Sequence, residues 1–172
     1  MTNPLNFRSQ IQSRLPEIQG KKILIFGDVG IDEYIFGDVY RISPEAPVPV
    51  VDVSSRSKKM GLSANVAANV KSLGGTPLLV SVVGDDREGE TLQALLSEQG
   101  IPVEGLLKDH QRPTTAKTRI LSGQHHIVRV DSENRSPVSE ATYKGLKKQV
   151  RVGLRTVMAS YCKTTPRALS PR

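Results

Sequence analysis

The 172-residue chain has one cysteine, no tryptophan and only 4% aromatic residues. A single thiol, Cys162, cannot build an internal disulfide framework, so stability must come from burial, and a reducing compartment is expected. No stretch approaches the ~20 continuous apolar residues that a bilayer span requires. Residues 1–20 mix Arg8, Arg14 and Glu17 with isolated apolar residues, unlike the uninterrupted apolar core of a secretory signal. Cytoplasmic residence with no membrane partner is the resulting expectation. Acidic residues are missing from 151–172, which carries Arg151, Arg155, Lys163, Arg167 and Arg172. The formal charge of +7 is therefore concentrated there, and residues 1–150 hold 19 basic against 17 acidic side chains. That body shows no basic stripe interleaved with aromatics, so no nucleic-acid partner is expected. Gly27-Asp28-Val29-Gly30 lacks a third glycine, which excludes the dinucleotide-binding fingerprint.

What is present alternates between buried strands and amphipathic helices. Lys21–Asp28 is a short apolar run ending in Gly-Asp, the pattern of a strand covered on both faces. A helix is expected before it, from the spacing of Phe7, Ile11, Leu15 and Ile18, with Pro16 leaving its end open. The pattern then predicts a helix over 63–73, a strand over 78–84, a helix over 87–99 and a strand over 101–107. This rhythm implies an α/β fold, a mostly parallel sheet with flanking helices. Two segments break it. Residues 33–60 are rich in β-formers but carry Pro44, Pro47 and Pro49, which suits an edge or a separate small sheet. Residues 115–130 read as an antiparallel hairpin about Ser122-Gly123-Gln124. The two are expected to pair as a small β-sheet lid. Ser136-Pro137 opens a last helix carrying Tyr143, Leu146 and Val150.

One stretch carries chemistry. Met60–Ala67 places a glycine turn, Gly61, and an amide, Asn65, at a helix mouth, where backbone N–H groups and the positive dipole end face an oxygen-rich ligand. An amide both donates to and accepts from hydroxyls, which suits a sugar. Asn65 read without further context is equally a plain first-turn residue. Asp85-Asp86 could pair on a metal or serve as acids at a helix N-terminus; the dipole favours the second, and no metal site is expected. His125-His126 are adjacent on a strand and face opposite ways, which argues against a shared metal.

With Gly27–Asp32, the run Arg41-Ile42-Ser43-Pro44-Glu45-Ala46-Pro47-Val48-Pro49-Val50 and the Gly61/Asn65 helix in order, the chain resembles the ribokinase-like (PfkB) carbohydrate kinases. Within them it is most similar to the D-glycero-D-manno-heptose 7-phosphate kinase domain. Thr118–Ser122 and Arg129–Glu133 match later segments of the same pattern. The resemblance covers roughly residues 23–133. It implies transfer of the ATP γ-phosphate, with Mg2+, to a sugar phosphate at its anomeric hydroxyl, for ADP-heptose and lipopolysaccharide core synthesis. Asp32, Gly61 and Asn65 would bind the sugar, and Lys117 and Arg129, with Arg41 and Arg119 as further candidates, would face its phosphate. The lid would also serve as a homodimer contact. No catalytic residue is assigned. The family's Gly-Ala-Gly-Asp segment, with its catalytic Asp, has no counterpart in these 172 residues, and Leu62 stands where the family usually has glycine.

Two units follow: 1–150 as the N-terminal part of a kinase domain, and 151–172 as a basic tail, frameshifted or disordered. A natural basic tail is the alternative. On the frameshift reading this chain is truncated and inactive alone; a non-catalytic sugar-phosphate-binding or dimerising fragment is the alternative function.

Overall fold

The computed structural model describes residues 9–10, 12–157 and 159–162, the last four as backbone only. The expected first helix falls partly outside these residues; a 3-10 turn, Leu15–Ile18, leads into the first strand.

Among the described residues, eight strands form two four-stranded sheets, and three α-helices of eleven residues or more accompany them. β1 (Lys22–Phe26) continues through Gly27-Asp28 into β2 (Val29–Ile42), which runs out into the lid. β3 (Pro49–Gly61) returns from the lid into α1 (Leu62–Ser72), followed by β4 (Thr76–Gly84), α2 (Arg87–Glu98) and β5 (Leu106–Asp109). β6 (Thr115–Ser122) and β7 (His125–Ser132) form the hairpin, and α3 (Glu140–Leu154) and β8 (Ala159–Cys162) close the described chain. One four-stranded sheet is ordered β5-β4-β1-β8 with every pairing parallel. The other is ordered β3-β2-β6-β7, antiparallel except for the β2–β6 pair.

The strand period of two divides the parallel sheet's side chains between two cores. Ile25, Leu79 and Val83 pack with Ala64 and Ala67 of α1 and Leu92 and Leu96 of α2. Leu24 and Val80 pack on the other face with Leu146 of α3. Helices thus cover both faces, which is why β1 and β4 read as continuous apolar runs. At the C-terminal end of β4, Asp86 caps α2: its Oδ1 accepts from Gly89 N at 2.8 Å and its Oδ2 from Thr114 N at 2.7 Å. Burial works against ionisation there, but the Thr114 and Gly89 N–H groups hold the carboxyl below the usual aspartate range. Of the two adjacent acids, Asp86 is therefore a cap, and Asp85 pairs with Lys108 at 2.9 Å and lies 3.0 Å from His110.

Three boundaries differ from the sequence reading. The strand expected over 101–107 is confined to Leu106–Asp109; Ile101 is buried as a core plug while its backbone stays outside the ladder. The last helix starts after Ser139, not at Ser136-Pro137, because the Ser139 hydroxyl caps Thr142 N at 3.2 Å. The boundary expected at Val150 falls inside α3, which continues to Leu154, and Ala159–Cys162 pair with Ile23–Phe26. Residues 163–172 lie outside the described residues.

Candidate functional site

β2 joins the two sheets: its first residues sit on the core and its far end is solvent-exposed lid. Asp32 lies just past the core on this strand. Its register partners are Lys59 on β3 and Lys117 on β6, and Lys117 in turn faces Asp131 on β7. One step outward, Tyr34 faces Ser57 and Arg119, and Arg119 faces Arg129. Residues two apart on a strand share a face, so these two rows place Asp32, Tyr34, Lys59, Lys117, Arg119, Arg129 and Asp131 together. Ile31 and Ile35 take the opposite face and are buried.

Within the rows, Arg119 Nη1 donates to Asp32 Oδ1 at 2.6 Å. This bond, ahead of burial acting the other way, raises the Arg119 pKa further. The guanidinium also lies 5.3 Å from the Tyr34 ring centroid, as does Lys59 Nζ. Lys117 Nζ is 3.0 Å from Asp131 and 3.6 Å from Glu133. The Lys117 hydrogen bond is the main reason that the Asp131 carboxyl is held below its usual range. Arg129 is exposed and pairs with Asp131 at 2.9 Å. The cluster thus sets the Asp32 carboxylate among cations on a half-shielded face. Such a surface accepts hydroxyl protons at Asp32 and attracts an anionic group beside it.

The helix mouth stands directly behind. Gly61 is the N-cap of α1, and a Cβ built there would lie 3.0 Å from Asp32 Oδ2. Leu62 follows in a left-handed conformation, φ 54°. This is the position where the sequence reading notes a missing glycine; the backbone keeps the glycine-like angle, and leucine carries the strain. Asn65 is exposed one turn further along α1, about 6 Å along the axis from Gly61. The fold brings Asp32, Gly61, Lys117 and Arg119 to one place, with Arg129 on the neighbouring strand. Arg41 is elsewhere: nine residues beyond Asp32 and opposite Val50, it lies about 30 Å out along the strand. Lys59, Tyr34 and Asp131 belong to the cluster but were not singled out from the sequence. Their signal is the period-two spacing Asp32-Tyr34 and Arg129-Asp131, which becomes readable only once the strands are in register.

Among the described residues no group of three or more His, Cys, Asp or Glu side chains could hold a metal ion. None of the described helices is long and apolar enough to cross a membrane.

Residues 21–153 match the pfkB family of carbohydrate kinases. The chain is 44% identical over 138 residues to "Bifunctional protein HldE" of Hyphomonas neptunium, covering 80% of this chain and 28% of that protein. It is 47% identical over 126 residues to the protein of the same name from Helicobacter pylori strain J99, covering 73% and 27%. The chain therefore spans little more than a quarter of the length of these curated relatives. Among solved structures, a carbohydrate kinase from Agrobacterium tumefaciens superposes with a TM-score of 0.63 at 21% identity, covering 83% of this chain and 45% of that one. A sugar kinase from Pyrococcus horikoshii in complex with ATP superposes with a TM-score of 0.52 at 26% identity, covering 74% and 39%. The ribokinase-like α/β fold and the extent of the sequence match lead to one assignment: the chain belongs to the pfkB family of carbohydrate kinases.

Proposed function

We propose that this chain forms the sugar-binding half and lid of a cytoplasmic, ATP-dependent kinase for a sugar phosphate, with heptose 7-phosphate as the substrate and its anomeric hydroxyl as the acceptor. The product would feed ADP-heptose and lipopolysaccharide core synthesis. The observation that carries the reading is the Asp32 carboxylate, set against Gly61 at the mouth of α1 and surrounded on one sheet face by Lys59, Lys117 and Arg119. A carboxylate with one oxygen directed at the helix mouth accepts sugar hydroxyls, Asn65 supplies a second hydrogen-bonding group, and Lys117 and Arg129 balance a phosphate. Lid strands over the sugar would keep water from competing as phosphoryl acceptor.

ATP and Mg2+ are what the family implies for the complete reaction. No described residue is assigned to either. Phosphoryl transfer needs nucleotide, metal and base held together, and the 172 residues contain no Gly-Ala-Gly-Asp segment. This stretch is therefore read as a binder that does not complete the transfer alone. The second reading, a dimerising module, rests on a different observation. On the lid face opposite Asp32, Val53, Val128 and Val130 are roughly half exposed, and Ile42 lies further out with 62% exposure. An apolar face of this kind favours a homodimer through the lid.

Calorimetry with heptose 7-phosphate and ATP added separately, alongside a coupled ADP-release assay, tests the reading. Binding of the sugar without turnover is the expected result. Absence of sugar binding by the folded chain removes the proposal, and robust turnover removes the non-catalytic part of it.

A further inference from the structure

We propose that Arg119 is the positioning residue of the site, clamping Asp32 so that one carboxylate oxygen is committed to the protein and the other is presented to the sugar. This rests on the reading that Asp32 is a sugar ligand. An aspartate on a strand has two free side-chain torsions, and the strand backbone by itself does not select among its rotamers. Arg119 supplies the selection. Its Nη1 donates to Oδ1 at 2.6 Å, and Nη1 is also 3.4 Å from the Lys117 carbonyl. The guanidinium carbon lies 5.3 Å from the Tyr34 ring centroid. Both partners of the ion pair are about one-fifth exposed, so the bond is shielded from solvent. Oδ2, the oxygen nearest the empty Cβ position of Gly61, is thereby directed at the helix mouth.

The other cations around Asp32 are engaged differently. Lys117 is its register partner on β6 but is held by Asp131 and Glu133 on the β7 side. Lys59, its partner on β3, stands over the Tyr34 ring. Arg129 is paired with Asp131. Arg119 therefore makes the hydrogen bond to Asp32, reaching back along the diagonal of the ladder. Lysine would not reproduce this, because a single ammonium lacks the forked donors that let Arg119 bond Oδ1 and reach the Lys117 carbonyl at once.

The test uses Arg119→Met and Arg119→Lys in the full chain, each checked for folding by circular dichroism. Heptose 7-phosphate affinity is measured by calorimetry for each variant, for Asp32→Asn, and for the double variant Asp32→Asn/Arg119→Met. A residue that acts only by orienting Asp32 adds little further loss once that carboxylate is gone, so the two changes should be non-additive. The Met variant should bind at least about tenfold more weakly than the wild type, and the double variant about as weakly as Asp32→Asn alone. The Lys variant should fall between. If the Arg119→Met chain fails to fold, the Lys variant carries the same comparison. Unchanged affinity in the Met variant, or additive losses in the double variant, overturns the positioning role and leaves the sugar reading intact. A folded wild-type chain that binds no sugar overturns the sugar reading instead.

Discussion

Asp32 and Gly61 are separated by 29 residues in the chain, yet the carboxylate of the first occupies the space a side chain on the second would need. A Cβ at 61 would lie 3.0 Å from Oδ2, 3.2 Å from Cγ and 3.2 Å from the Gly30 carbonyl. The Gly30–Gly61 register pair brings the two strands together here, just where β3 hands over to α1. Gly61 has φ −110° and ψ 166°, extended angles that any residue adopts. Its glycine is required by space.

Gly61→Ala should therefore move Asp32 and leave the backbone largely in place. The expected outcome is a loss of about 1 kcal/mol of stability, in the range of mild overpacking, with sugar affinity weakened about tenfold. Denaturant melts and calorimetry on the same preparation measure both. Unchanged affinity would separate Asp32 from the sugar site.

Leu62 supplies a test of strain. At φ 54° an L-residue loses roughly 1–2 kcal/mol, and a β-branched one loses more. Leu62→Ile keeps the volume and should destabilise by about 1 kcal/mol or more. Leu62→Gly relieves the strain but gives up the partly buried side chain, two effects of about 1 kcal/mol each, and should be near neutral. Thermal melts that rank Gly below Ile would contradict the left-handed geometry.

Asp86 should dominate the acid sensitivity of the body. It accepts from Gly89 N and Thr114 N, joining the α2 cap to the start of β6, so Asp86→Ala is expected to cost about 2–3 kcal/mol. Because its folded-state pKa is lowered, its contribution is fully present above the ordinary aspartate value and is lost as pH falls through the depressed one. Asp86→Asn should flatten the decline of stability in acid. Urea midpoints from pH 2.5 to 7 for wild type and variant check the slope.

The lid's outward face gives the last prediction. Val130→Glu and Val53→Lys place charge on residues 54% and 47% exposed, so the folded monomer should lose less than about 0.5 kcal/mol. A dimer closing over that face should dissociate. Sedimentation equilibrium distinguishes the cases, and a wild-type chain that is monomeric at high concentration removes the homodimer reading.

Much of this protein was legible before any coordinates. Continuous apolar runs marked β1 and β4 because each strand is covered on both faces, and leucine spacing marked α2 because one side of it is buried. The lid was visible as two proline-bounded and glycine-turned β segments, and the run Arg41–Val50 pointed to the family. The short strand Leu106–Asp109 was misplaced because Ile101 is apolar for a core contact and not for a ladder. The end of α3 was missed because its closing residues, Val152 and Leu154, are exposed and break the expected period, while the buried one is Gly153.

The sequence by itself determined which segments become strands and helices, since those depend on local propensity and on the period of apolar residues. Only the tertiary structure decided which charges meet. Asp32, Arg119 and Asp131 come from three different strands, and their partners depend on a register set by long-range pairing of β2 with β6 and of β6 with β7. A shift of one residue would have turned every one of those side chains to the opposite face. The family resemblance nominated Lys117 and Arg129, with Arg41 and Arg119, as cations facing the sugar's phosphate; the ladder diagonal pairs Arg119 with the aspartate.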